Sequence, residues 1–276
     1  MCDKANSPID ITDTGVSGTC NQKCYYIFNY NDSTCKVERN ESFLKFDYDS
    51  STRTPAKISG IDLNVGEVRI YSPSLHTFDG KRTTAEIVVG HGGNGTALLV
   101  CIPITTSTEN SEGSVLLNQM ISQTKRLAPN NGDTAVLTTS GFNLNKLIPR
   151  TEFYFYEGTL PFEPCTGNYG IIVFKKNSFA TVMPKTALDL SKLITPSNIT
   201  TKPGTSYFVS SKSASTTEDD EIYISCQPVG DSSDSQIEGF QTILKKENDL
   251  QNVTKLLVSS AILAGLLLIS CRLNRK

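Results

Sequence analysis

The 276-residue chain has no tryptophan and only two histidines, His76 and His91. Two histidines cannot build a three-histidine zinc site, and neither lies in the H-x-x-x-H spacing by which one helix face holds a metal. The G-x-S-x-G elbow of a serine hydrolase is missing as well. "GVSG" at 15–18 has the wrong spacing, and neither histidine has a recognisable Ser or Cys partner. Excess positive charge is also lacking. The formal charge is -2, and Lys255, Arg272, Arg275 and Lys276 fall in the last 22 residues, which hold no acid, so residues 1–254 carry 22 basic against 28 acidic groups. A nucleic-acid binder neutralises phosphates with a basic face, so that class is set aside. "MCDKANSPID" has no apolar core segment, and no secretory signal is expected there.

What is present describes a globular chain: 38% hydrophobic, 20% charged, and long enough to bury one large core. Strand signals dominate from residue 8 to about 229. "CYYIFNY", "SFLKFDYD", "GEVRIYS", "TTAEIVVGH", "TALLVCIPI", "EFYFYEG", "YGIIVFKK", "TSYFVSS" and "EIYISCQP" are rich in β-branched and aromatic residues. Helical periodicity is confined to "GSVLLNQMISQTKRL", with Val115, Leu116, Met120 and Ile121 on one face, and to "KTALDLSKLI". "GHGGNG" at 90–95 matches a dinucleotide fingerprint, yet a strand and not a helix follows it, so it reads as a strand connection.

The polar run at 210–221 reads as a surface loop, and "GDSSDSQ" as a hinge before an amphipathic helix with Ile237, Phe240, Ile243 and Leu244. "LLVSSAILAGLLLISC", Leu256–Cys271, is uncharged for 16 residues between Lys255 and a basic tail. As a helix it covers roughly 24 Å, close to a bilayer core if Lys255 snorkels. A single-pass anchor that includes Leu256, Leu263, Leu267 and Ile269 is expected, and the bilayer is one partner. The organisation expected is a domain at 1–229, a linker and amphipathic helix at 230–254, an anchor at 255–272 and a basic tail at 273–276. Eight cysteines are many for a cytosolic protein of this size. Cys20, Cys24 and Cys35 lack a fourth ligand at finger-like spacing, and their pairing, like that of Cys101 and Cys226, stays open between disulfides and free thiols.

Four segments in order resemble the alpha-type carbonic anhydrases: "NSPIDI", "LHTFDGKRTTAEIVVGH", "ALLVCIPI" and "LIPRTEFYFYEGTLPFEPCTGNYGIIVF". The first is similar to the family's Q-S-P-I-D/N-I, and the last to its L-L-P…Y-x-G-S-L-T-T-P-P-C segment. The resemblance covers roughly residues 7–190. It implies a mainly β fold, with a large, mostly antiparallel central sheet and short peripheral helices. It also implies a zinc ion on three histidines from neighbouring strands, lowering the pKa of bound water.

This chain departs from the family at each of those positions. Arg69 and Tyr71 stand for the first two ligands and Val88 for the third. Pro161 replaces the Thr that orients the zinc hydroxide, and Leu75 the Glu behind it. Arginine has no lone pair to offer a metal. The resemblance therefore implies a pseudoenzyme with no metal, no cofactor and no small-molecule substrate. His76 and Glu86 remain as structural residues, and an Arg69–Glu86 ion pair is expected in place of the metal. A Cys2–Cys165 disulfide is implied by the family's pattern in extracellular and bacterial members. With the anchor, the architecture is similar to the cell-surface-binding envelope proteins of poxviruses. That implies a virion membrane protein contacting capsid or other virion proteins, or a host-surface ligand.

Overall fold

The structure is a computed structural model that describes residues 4–19, 26–176 and 180–209. The strand reading "EIYISCQP", the hinge, the amphipathic helix and the anchor residues Leu256, Leu263, Leu267 and Ile269 lie outside them. Among the described residues no helix is long and apolar enough to cross a membrane.

One large sheet organises the domain. Its main path uses β1 (Val16–Thr19), β2 (Ser33–Arg39), β3 (Leu44–Asp47), β4 (Ile61–Tyr71), β5 (Ala85–Gly93), β6 (Thr96–Thr106), β7 (Thr134–Phe142), β8 (Phe153–Gly158), β9 (Tyr169–Phe174) and β10 (Ser206–Val209). The spatial order is β7-β2-β3-β4-β5-β6-β9-β8-β10-β1. Most neighbours are antiparallel, as the family resemblance implies. The sheet is nonetheless mixed, because β6 runs parallel to β9 and β10 parallel to β1. A three-stranded ribbon, Asp10–Ile11, Thr77–Phe78 and Lys81–Arg82, lies outside this sheet.

The central strands are apolar along nearly their whole length because both faces are covered. One face, with Ile70, Ile87, Val89, Val100, Ile102 and Ile172, forms the main core together with helix α1 (Glu112–Leu127) and helix α2 (Pro184–Leu193). Helix α1 starts at Ser111, whose hydroxyl accepts the Ser114 N–H while the Ser114 hydroxyl accepts that of Ser111. It ends with Lys125 and Arg126 against the negative end of the helix dipole. Its buried stripe contains Leu116, Leu117, Met120, Ile121 and Thr124, so Leu117 replaces Val115, which is exposed. A stripe about 100° wide cannot include both 115 and 117 with 120 and 124.

"GHGGNG" is a strand connection, as read. Asn94 and Gly95 take φ of 48° and 77° at the tip of the β5–β6 hairpin, the two positive values that a tight primed turn needs. A Cβ on Gly93 would come within 2.2 Å of the Asp62 carbonyl oxygen, so glycine is required where β5 passes β4.

Candidate functional site

The opposite face of the sheet carries the positions that the sequence singles out. Val88 sits directly across from Arg69, Glu86 across from Tyr71, and Cys101 of β6 across from Val88. Cross-strand partners share a face, so Arg69, Tyr71, Glu86, Val88 and Cys101 project to the same side.

Arg69 is held from three directions. Its Nη2 lies 2.7 Å from a Glu67 carboxylate oxygen, and its Nη1 donates to the Tyr71 hydroxyl at 3.2 Å. The guanidinium is sandwiched between two rings, 4.5 Å from the centroid of Phe43 and 4.2 Å from that of Phe162. The Tyr71 ring stacks on Phe162 with centroids 5.9 Å apart and contacts Phe43 at 5.5 Å. Burial works against the Arg69 charge, but Tyr71 and Glu67 beside it outweigh burial and hold its pKa above the ordinary value. Burial pushes the Tyr71 phenol up to about 12 against the pull of Arg69.

The second group is fully buried. His76 Nδ1 lies 2.6 Å from Glu86 Oε1, the His76 backbone N–H donates to Glu86 Oε2 at 2.9 Å, and His76 Nε2 lies 2.7 Å from the Tyr156 hydroxyl. Burial alone would raise the Glu86 pKa. The adjacent His76 and the hydrogen bonds from His76 and Leu75 reverse this and hold the carboxyl below its usual range. The Cys101 thiol approaches the same carboxylate, and burial, with Glu86 adding to it, pushes that thiol well above its ordinary value. His76, Glu86 and Cys101 place a potential ligand atom each within 4.8 Å of one another.

The expected Arg69–Glu86 ion pair does not form. Glu86 is taken by His76, and Arg69 by Glu67. Glu67 stands two residues before Arg69 on β4, hence on the same face at strand period, a relation that was open to a reading of the sequence. Phe43 and Phe162 come from other segments, and no spacing announces them. Leu75 is completely buried.

Pro161 belongs to the loop 159–168, closed by Cys165 N–H donating to the Phe162 carbonyl at 2.8 Å and by Leu160 N–H donating to Thr166 at 3.3 Å. The N-terminal segment clasps this loop: Thr159 N–H donates to the Asn6 side chain at 2.8 Å, and the Ser7 hydroxyl donates to the Thr159 carbonyl. Cys165 is disulfide-bonded. Cys2, the partner that the resemblance implies, lies outside the described residues.

Zinc does not fit the Arg69–Tyr71–Val88 face. A guanidinium offers no lone pair, a valine no donor atom, and the Tyr71 phenol oxygen already accepts from Arg69.

No family model matches the chain. It is 25% identical over 184 residues to alpha carbonic anhydrase 7 of Arabidopsis thaliana, an alignment covering 64% of this chain. That alignment spans 62% of the plant protein's length. Among solved structures, the alpha-carbonic anhydrase of Thermovibrio ammonificans, in complex with the inhibitor sulfanilamide, matches with a TM-score of 0.63 and 21% identity, over 75% of this chain and 87% of that one. The alpha-carbonic anhydrase of Photobacterium profundum matches with a TM-score of 0.60 and 17% identity, over 74% and 88%. The mixed sheet, its few short helices and these superpositions agree, and the described domain is alpha-carbonic-anhydrase-like in fold.

Proposed function

We propose that this chain is a non-enzymatic, carbonic-anhydrase-like module, tethered by its C-terminal apolar segment to a virion membrane and used for contacts with capsid or other virion proteins. The observation that carries the loss of catalysis is the guanidinium sandwich. Where the family resemblance calls for imidazoles, Arg69 is clamped between Phe43 and Phe162 and bonded to Glu67 and Tyr71. Such a site can neither bind zinc nor ionise its water, the two steps on which hydration by a zinc hydroxide depends.

Attachment to a sulfated host glycan is the competing role, and it needs an open basic surface. In each of the basic pairs at 81–82, 125–126 and 175–176 one member is already engaged by protein oxygens. Arg82 donates both terminal nitrogens to the Ser74 and Ile199 carbonyls, Lys125 is 2.6 Å from Asp189, and Lys175 is 3.0 Å from Glu152. Contacts with other proteins are favoured on that ground. Purified full-length chain should show no carbon dioxide hydration above the uncatalysed rate, with or without added zinc. Sulfonamide-sensitive hydration sinks the proposal. Crosslinking in intact particles followed by mass spectrometry should join the domain to a virion protein, whereas salt-sensitive retention on heparin would shift the role to host attachment.

A further inference from the structure

The buried His76–Glu86–Cys101 group has the composition of a metal centre. An imidazole, a carboxylate and a thiol are the three donor types that zinc takes from proteins, and here all three residues are completely buried with their donor atoms within 4.8 Å of one another. We propose that His76 Nδ1, the Glu86 carboxylate and Cys101 Sγ form a closed site for one zinc-class divalent ion, structural in role and separate from the Arg69–Tyr71–Val88 positions. This goes beyond the non-enzymatic reading and does not rest on it.

Charge balance favours the site. A divalent ion beside one carboxylate, one thiolate and a neutral imidazole has no net charge, so it avoids the large desolvation cost of an uncompensated buried ion. Loading releases the Cys101 proton to solvent and moves the His76 ring proton from Nδ1 to Nε2, where the Tyr156 hydroxyl accepts it, so the imidazole stays neutral, the site has no net charge and no oxidant or reductant is needed.

Geometry points the same way. Metal bonds of about 2.0–2.3 Å set neighbouring donors a little over 3 Å apart. Loading therefore widens the 2.6 Å His76–Glu86 contact by less than about 1 Å. The supporting shell is in place. A ligating histidine steers its ring through the nitrogen that does not bind metal, and His76 Nε2 already meets the Tyr156 hydroxyl at 2.7 Å. The His76 backbone N–H, at 2.9 Å from Oε2, orients the carboxylate. With both carboxylate oxygens the donors number four, a closed set that leaves no position for water or substrate.

Because the group is buried, metal must enter during folding. The full-length chain is to be refolded under reducing conditions with one equivalent of cobalt(II) and then dialysed. The expected result is one bound cobalt per chain with a thiolate-to-cobalt absorption band in the near ultraviolet. The band should disappear and the affinity fall at least tenfold in Cys101→Ser. X-ray absorption of the zinc form should find one sulfur among nitrogen and oxygen neighbours, which needs no variant and stands even if Cys101→Ser misfolds. A folded wild-type chain without metal, a band that survives Cys101→Ser, or a shell of no sulfur or several sulfurs overturns the proposal. The hydration assay is independent of all three, so failure here leaves the proposed function standing.

Discussion

His91 is enclosed by two phenols: the Tyr30 hydroxyl meets its Nε2 at 2.6 Å, and the Tyr26 hydroxyl meets that of Tyr30. Burial holds its pKa down at about 4 from an ordinary 6.5. The sign of the consequence follows from proton counts. Between about pH 6.5 and 4 the unfolded chain binds a proton on His91 that the folded chain does not. The stabilisation by neutral His91 is therefore complete above 6.5 and lost as the pH falls toward 4, amounting to about 3 kcal/mol. Glu86, held below its usual range, adds a further loss at lower pH, as the folded carboxylate is finally protonated. Urea unfolding of wild type and His91→Gln across pH 7.5 to 4 should give a steeper fall for the wild type. Parallel curves would remove this account. His91 stood out in the sequence only as one of two histidines. Its role depends on Tyr26 and Tyr30, more than sixty residues away, and such long-range enclosure leaves no local pattern.

At the scale of elements, β7, the terminal strand of the sheet among the described residues, shows how a helix can finish a sheet. The Gln123 side chain of α1 donates to the Thr138 carbonyl and accepts the Thr138 N–H at 2.9 Å, and Gln119 accepts the Ser140 N–H at 3.1 Å. Among the described residues no strand pairs with this side of β7, and two glutamine amides cover an edge that would otherwise invite pairing between chains. Gln123→Ala should cost about 1–2 kcal/mol, the value of two exposed hydrogen bonds lost together. It should also raise self-association, read by light scattering at several protein concentrations; an unchanged aggregation onset would show that the edge needs no cap. The central strands were legible because burial on both faces writes a continuous apolar run, as in "LLVCIPI" and "YGIIVF". β7 was not, since its buried members are only Leu137 and Phe142 while Val136 is 63% exposed. β2 went unread for the same reason, with Cys35 and Val37 alone marking its buried side. The helix α1 was found by its period, but its phase was set one position off by counting Val115 as buried.

Across the whole molecule, the N-terminal segment and the loop 159–168 are far apart in sequence and joined in space, by Asn6 and Ser7 to Thr159 through hydrogen bonds and, we propose, by Cys2 to Cys165 through the disulfide that Cys165 carries. This clasp matters for the degenerate face because the same loop supplies Phe162, one of the two rings that hold Arg69. The hydrogen bonds position the loop locally. A covalent link that closes more than 150 residues acts mainly on the unfolded chain, restricting it by about 4–5 kcal/mol in the loop-entropy account. Cys165→Ser should therefore lower the unfolding free energy by a few kcal/mol and leave the denaturant midpoint insensitive to reductant, while the wild type becomes reductant-sensitive. Peptide mapping without reduction should recover residues 2 and 165 in one crosslinked fragment. The outcome also reports on compartment, since structural disulfides persist where the surroundings are oxidising. A Cys2–Cys165 bond in chain taken from intact particles supports a domain displayed on an outer membrane face. Cys2 found as a free, alkylatable thiol in those particles would break the proposed pairing and assign the Cys165 disulfide to another cysteine.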